Sequence, residues 1–359
     1  MKILILTNFG MGLYKFRKEL ICELCRENQV IAALPDGEYT EALKDIGLKY
    51  IKFEFKRRGM NPFADVYQFI RYIKLIKRIK PDIVLTYTIK PNVYGGLACQ
   101  ILKVPYIANI TGLGTSIENG GILSILNKKL YKIGISGAKC VFFQNRENQK
   151  FFEEYKIANG NNRLIPGSGV NLSVHHIEDY PEDDGNIKFL FIGRIMKDKG
   201  IDELLEAMEG LYKRYKNISL DIVGDCEENY GDKLIKAVSK GFIKYYGKQK
   251  FIHNFIKNAH CCVLPSYHEG LANVMLEAAA TGRPVITTRV PGCCETFEEG
   301  VTGFGCEPKS AESLREAMEK FLLLPYEEKR YMGMQGRRKM EQEFDRNFVI
   351  EAYIEEIKK

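Results

Sequence analysis

Short apolar runs alternate with helix-length segments along this 359-residue chain, and the alternation stops once and then starts again. Ile3–Leu6, Val30–Leu34, Tyr50–Phe53, Ile83–Thr86, Tyr106–Ile110, Val141–Gln144 and Arg163–Ile165 read as strands. Between several of them lie segments of helical length, among them Tyr14–Cys25, Pro62–Lys80, Pro91–Leu102 and Ile122–Ile135. Such alternation predicts a parallel sheet with helices on both faces. The polar, acidic stretch Ser173–Asn186 interrupts the pattern and reads as a linker. Strand-like runs resume at Lys188–Ile192, Ser219–Val223, Cys261–Leu264 and Val285–Thr287. The chain is too long for one ordinary core and fits two. The expectation is an α/β protein with two Rossmann-like domains, residues 1–172 and 187–344, facing each other across a cleft, followed by a final helix over 345–359.

Composition narrows the setting. Hydrophobic residues at 45% and charged residues at 28% describe a soluble globular chain. No apolar stretch approaches the roughly 20 residues that span a bilayer. The opening Met1–Asn8 reads as a first strand rather than a signal peptide, so a cytoplasmic location is expected. Of the ten cysteines, Cys22, Cys99, Cys140, Cys261 and Cys262 lie in apolar patterns and read as core. Cys22 and Cys25 lack a second pair at metal-ligand spacing, so no metal site is expected.

Charge is concentrated. From Lys52 to Lys80 there are nine basic residues against two acidic ones, an excess equal to the whole chain's +7. Phe69, Ile70, Ile73, Ile76 and Ile79 form an apolar stripe at helical spacing in the same stretch. One reading is an amphipathic helix covering the sheet with a solvated basic face. The other is a cationic face, including Arg57, Arg58, Lys74, Lys77 and Arg78, that meets anionic headgroups or a lipid diphosphate at about 1 kcal/mol per basic residue. No motif for nucleic acid accompanies the charge.

The chemistry concentrates after the apolar run Cys261–Leu264. Pro265 and Ser266 end that run, Gly270 permits a tight turn, and Leu271–Ala280 are strong helix formers that stop at Gly282. Free amides at a helix start favour anions. Glu269 at the helix mouth and Glu277 two turns in are eight positions apart, which advances about 80° beyond two full turns, close enough to reach one ligand. Phosphate repels carboxylates, so these would accept hydrogen bonds from hydroxyls, and a sugar nucleotide satisfies both requirements. Two such glutamates alone are most simply surface carboxylates. A second loop, after the strand ending at Gly193, presents Arg194 and Lys199 before a helix begins near Asp202. Arg offers phosphate a planar fork and Lys a point charge.

The Glu-x7-Glu pattern, preceded by Pro265–Ser266 and followed by Gly282-Arg-Pro-Val-Ile286, resembles the donor-site signature of retaining GT-B glycosyltransferases of the large GT4-like family. Arg194 and Lys199 match that family's diphosphate-binding pair. The resemblance implies a GT-B fold, with the last helix returning to the first domain. It implies that Arg194 and Lys199 neutralise the donor diphosphate, that Glu277 bonds the ribose hydroxyls and that Glu269 contacts the transferred sugar. The backbone amides of Gly270, Leu271 and Ala272 would hold the distal phosphate, with Asn273 beside them, and Gly224 and Lys248 lie where the family places the nucleoside. The loop Asn8–Arg17 would lie over the donor phosphates, with Gly12 permitting close approach; as a dinucleotide fingerprint it lacks the third glycine, which argues against a dehydrogenase. A second glycine-rich loop, Thr111–Gly121, would shape the acceptor mouth.

Many family members carry a His where this chain has Asn109 or Thr111. Thr86–Gly96, Asn109–Gly114 and Pro166–Asn171 resemble a subgroup that lacks this His and acts on polyprenyl-diphosphate-linked sugars in capsule, O-antigen and bacterial N-glycan assembly. The implied activity is retaining transfer of a hexose or N-acetylhexosamine from a UDP-sugar to such a lipid-linked glycan, without metal or cofactor, on the inner face of the plasma membrane. The readings left beside it are a paired-carboxylate glycosidase, a non-hydrolysing UDP-sugar 2-epimerase and a silent partner that binds nucleotide sugar or lipid.

Overall fold

The computed structural model describes residues 1–54, 62–112, 121–158 and 160–359. The chain divides into two compact units, Met1–Ser168 with Asn347–Lys359, and Gly169–Arg346. The stretch expected to be a linker, Ser173–Asn186, clusters with the second unit.

In the first unit, strands β1 (Lys2–Leu6), β2 (Gln29–Leu34), β3 (Lys49–Lys52), β4 (Ile83–Tyr87), β5 (Tyr106–Ile110), β6 (Cys140–Phe143) and β7 (Asn162–Leu164) form one sheet. Their order is β3-β2-β1-β4-β5-β6-β7, every pair parallel. Helices α1 (Gly10–Glu27), α2 (Thr40–Asp45), α3 (Pro62–Ile79), α4 (Gly96–Leu102), α5 (Gly121–Ile135) and α6 (Arg146–Glu154) lie between the strands in sequence. Central β1 is buried on both sides, which is why it reads as an unbroken apolar run. Ile3 and Ile5 join the cluster that includes Leu13, Leu20 and Leu24 of α1, while Leu4 and Leu6 join Tyr72, Leu75 and Ile76 of α3.

The second unit repeats the plan. Strands β8 (Ile187–Ile192), β9 (Ile218–Val223), β10 (Ile243–Tyr245), β11 (Cys261–Leu264), β12 (Val285–Thr288) and β13 (Gly303–Cys306) form a six-stranded parallel sheet in the order β10-β9-β8-β11-β12-β13. Its helices are α7 (Ile201–Arg214), α8 (Gly231–Val238), α9 (His253–Lys257), α10 (Asn273–Ala280), α11 (Ala311–Leu323) and α12 (Tyr326–Glu343). Sequential strands diverge to opposite sides between β8 and β11, and in open α/β sheets ligands bind beyond the strand ends at such a switch point.

The last helix, α13 (Arg346–Lys358), packs with the first unit from Asn347 onward. Val349, Ala352, Tyr353 and Ile357 are buried there, at the spacing of a single helix face. The Tyr353 ring lies 4.6 Å from that of Phe142. Arg163 pairs with Glu355 at 2.8 Å and Glu356 at 2.7 Å. Among the described residues, no helix is long and apolar enough to cross a membrane.

Candidate active site

The site is assembled from the loops that leave β8, β9, β11 and β12. After β8 the chain runs through Gly193 and Arg194 to a single turn at Lys197–Lys199, then to Gly200, whose φ is +69°. A Cβ at Gly200 would lie 2.1 Å from the Pro265 carbonyl oxygen, so only glycine lets this loop rest on the one that follows β11. The Tyr267 N–H donates to the Asp198 carbonyl at 2.9 Å, joining the same two loops. This packing delivers the Lys199 ammonium to the Glu269 carboxylate. Ser266 Oγ lies 2.8 Å from the same Glu269 oxygen. Both ion-pair side chains are about five-sixths buried.

A third loop closes on Glu269 from the β12 side. Gly292, at φ +81°, approaches so near that a Cβ there would lie 2.4 Å from the Glu269 carbonyl oxygen. The Gly292 carbonyl accepts from the Ala272 N–H at 2.7 Å. This contact revises two expectations. Helix α10 begins at Asn273 rather than Leu271, so Glu269 lies in the loop, and the helical-wheel argument joining it to Glu277 does not apply. The Ala272 amide is also committed to Gly292, so it is not one of the donors free for a phosphate. The Asn273 N–H donates to the Leu271 carbonyl at 2.9 Å, while the Asn273 Oδ1 is buried without a hydrogen-bond partner.

Arg194 is half exposed, and Nη1 lies 2.8 Å from Glu227 on the loop after β9. Glu277 sits one turn into α10 with its carboxylate 3.9 Å from His175 Nε2. Pattern reasoning overlooked His175, and only its position after Gly169-Val-Asn171 could have drawn notice. Gly224 has a packing role: its added Cβ would lie 1.7 Å from the Gly193 carbonyl oxygen. Its N–H donates to the Gly247 carbonyl at 2.9 Å, tying the ends of β8, β9 and β10 together. Lys248 follows, exposed. Cys293 lies beside Glu269, and burial, reinforced by that carboxylate, pushes its thiol up to about 12. It is therefore a packing residue rather than a nucleophile. A further group that sequence reasoning missed, His176, Glu178 and His253, meets where the former linker crosses α9.

The remaining expected residues lie in the first unit. Gly12 is inside the first turn of α1, so most of the supposed phosphate loop Asn8–Arg17 is helix. Thr111 is exposed just after β5, and residues 113–120 of that loop lie outside the described residues. Asn109 is locked in the core, where Oδ1 accepts from Tyr353, Nδ2 donates to the Thr86 carbonyl at 3.2 Å and its carbonyl accepts from Asn92 at 2.7 Å. It is therefore not a substitute for the missing His. Lys74, Lys77 and Arg78 are exposed on α3, whereas Arg57 and Arg58 lie outside the described residues.

The same fold occurs in solved structures. HepE from Anabaena, in complex with UDP, superposes with a TM-score of 0.83 at 18% identity over the full length of both chains. WaaG, a glycosyltransferase involved in lipopolysaccharide biosynthesis, gives 0.74 at 17% over 98% of each. The fold is that of the GT-B glycosyltransferases. A family description for group 1 glycosyl transferases matches residues 175–339, and one for 4-like glycosyl transferases matches residues 2–145. The two descriptions fall one on each unit, and the chain is a transferase acting on sugars, similar to the GT4-like glycosyltransferases. Among its relatives is the N,N'-diacetylbacillosaminyl-diphospho-undecaprenol α-1,3-N-acetylgalactosaminyltransferase of Campylobacter jejuni, 28% identical over 99% of this chain and 97% of the relative. The capsular polysaccharide biosynthesis glycosyltransferase CapM of Staphylococcus aureus is 26% identical over 82% of this chain and 81% of its own. These relatives do not favour the epimerase alternative.

Proposed function

We propose that this enzyme transfers an N-acetylhexosamine or hexose from a UDP-sugar to a polyprenyl-diphosphate-linked glycan, with retention and at a membrane surface. The observation that carries the reading is the clamp of Lys199 against Glu269, made by the glycine-dependent contact of their loops. It pairs a cation suited to a leaving diphosphate with a carboxylate suited to sugar hydroxyls, and the full-length similarity to the Campylobacter lipid-linked transferase supports the acceptor class. In the proposed complex Arg194 and Lys199 exchange Glu227 and Glu269 for phosphate oxygens. The released Glu269 carboxylate then accepts hydrogen bonds from the transferred sugar, and Glu277 takes the ribose hydroxyls. Fixed cations at the leaving group lower the barrier because they need no reorganisation as charge develops, and they make a metal unnecessary there.

Membrane docking is supported by α3. Phe63, Val66, Tyr67 and Ile70 are exposed along one helical stripe that continues into Lys74, Lys77 and Arg78. An apolar stretch beside a basic one suits the interface of an anionic bilayer. The test of the activity is transfer of radiolabel from a panel of UDP-sugars into organic-extractable lipid, with bacterial membranes as acceptor and Glu269→Ala as control. Label from one donor, lost in the variant, is expected. No label from any donor, or equal label with the variant, would overturn the reading.

A further inference from the structure

Two of the chain's five histidines, His176 and His253, meet Glu178 beside a third, His175. The segment His175–Glu178 crosses α9 there. His176 Nε2 lies 3.0 Å, and His253 Nε2 3.1 Å, from the same oxygen, Glu178 Oε1. The three atoms lie within 4.8 Å of one another. The other carboxylate oxygen is held by Lys257 at 2.8 Å, which fixes the orientation of Oε1 toward the two imidazoles. The backbone beneath is anchored as well: the Glu178 N–H donates to the Thr281 carbonyl at 3.2 Å, and its carbonyl accepts from the buried Arg283 at 3.1 Å. Glu178 and His253 are mostly buried, whereas His176 is 58% exposed and leaves a path to solvent.

We propose that His176, Glu178 and His253 form a site for a zinc-class transition-metal ion. Two imidazoles and one carboxylate suit zinc, nickel or copper, while magnesium and calcium favour oxygen ligands. Zinc at about 2.0–2.1 Å from each ligand places neighbouring ligand atoms about 3.3 Å apart in a tetrahedron, close to the two separations seen here. The exposed His176 ring supplies the remaining adjustment, and water takes the fourth position. Lys257 acts as the outer contact that orients the ligating carboxylate. The ion would pin the former linker to α9 and so fix the segment that carries His175, the neighbour of Glu277; only this last consequence rests on the donor-site reading. Without an ion, Glu178 accepts two imidazole hydrogen bonds and the cluster is a tether.

The experiment is calorimetric titration of the EDTA-stripped full chain with Zn2+, and separately with Mg2+, for the parent, His176→Asn and His253→Gln. One saturable Zn2+ per chain at micromolar affinity or tighter is expected, with no Mg2+ binding and at least about a 10-fold loss in each variant. The surface position of His176 and matching metal-free thermal midpoints separate that loss from misfolding. Absence of a saturable zinc event overturns the site. Undiminished zinc binding in both variants also overturns it, by placing the ion on other residues.

Discussion

Substituting Gly200 by alanine tests whether the meeting of two loops, rather than any one side chain, makes the donor site. The new Cβ would lie 2.1 Å from the Pro265 carbonyl oxygen, where ordinary contact begins at 3.4 Å. The loops must therefore part by about 1 Å. The backbone is also left-handed at φ +69°, which costs a non-glycine residue roughly 1–2 kcal/mol. Added to the displaced contact, that puts the destabilisation at about 2–4 kcal/mol. Gly200 touches no substrate in the proposed complex, yet it follows Lys199 directly and sets its loop against Pro265, four residues before Glu269, and a shift of about 1 Å in positioned groups costs on the order of 100-fold in rate. Urea unfolding gives the first quantity and kcat/KM with saturating lipid acceptor the second. Assayed well below the unfolding midpoint, a folded Gly200→Ala enzyme with the parent's kcat/KM would refute the reasoning. A stability loss without a rate loss would show that Lys199 and Glu269 act independently of how their loops are joined.

The remaining predictions address separate parts of the molecule. Glu269→Ala should keep the fold and lower transfer by roughly 100-fold or more; near-parental turnover would remove it from the site. Phe63→Asp with Tyr67→Asp, both at exposed positions, should abolish co-sedimentation with anionic vesicles while leaving donor hydrolysis or UDP binding intact. Unchanged sedimentation would reduce α3 to a solvated face. Burial pushes the thiols of Cys99, Cys140, Cys262, Cys293 and Cys306 from an ordinary 9.0 up to about 12. A raised folded-state pKa contributes stability that is full below the unfolded value and lost as pH rises. The urea midpoint should therefore hold to about pH 8 and fall from about pH 9 upward. A midpoint that rises over that range would contradict the burial of these thiols.

Central strands were the legible part of the fold. β1, β4, β5, β8 and β11 are covered on both faces, so their sequences are continuous apolar runs that stand out without an alignment. The strands that pattern reasoning passed over, β10 and β13, are the two edges of the second sheet. β10 is only Ile243-Lys-Tyr245, and β13 is Gly303-Phe-Gly-Cys306, where the glycines allow close approach: a Cβ at Gly303 would lie 2.0 Å from the Val285 carbonyl oxygen. Edge position relaxes the need for apolar residues on both faces, and the signal disappears. Arg194, Lys199, Glu269 and Glu277 stand out through the resemblance of their loops to the GT4-like signature, whereas spacing alone leaves them as surface charges; the structure joins Lys199 to Glu269. The Ala272–Gly292 contact that shortens α10 could not be read, since it joins residues 20 positions apart through backbone alone. His175, His176 and His253 were hidden for the same reason: the meeting of residues 175 and 253 is a consequence of the fold, not of local pattern.

The two cations assigned to the donor in the proposed complex are already paired in the structure. Arg194 holds Glu227 and Lys199 holds Glu269, so on the proposed reading binding a diphosphate would exchange carboxylate for phosphate at both positions. The two exchanges differ in cost. The Arg194 pair is exposed at the surface, where an ion pair contributes about 0–1 kcal/mol, and it opens readily. The Lys199 pair is about five-sixths buried, and freeing Lys199 leaves Glu269 with Ser266 Oγ alone from the contacts described. A buried carboxylate that has lost its cation must find new donors. The hydroxyls of the transferred sugar are the donors delivered by the same ligand. On this argument UDP alone should bind less well than its phosphates would suggest, because it displaces Lys199 without supplying partners to Glu269. The sugar then contributes twice, through its own contacts and by relieving the carboxylate. Replacing Glu269 with Gln removes the unpaired charge, so it should narrow the gap between UDP and UDP-sugar affinity even as it slows transfer. Calorimetry of both ligands on parent and variant measures that gap directly, and an unchanged gap would mean that Glu269 does not face the transferred sugar.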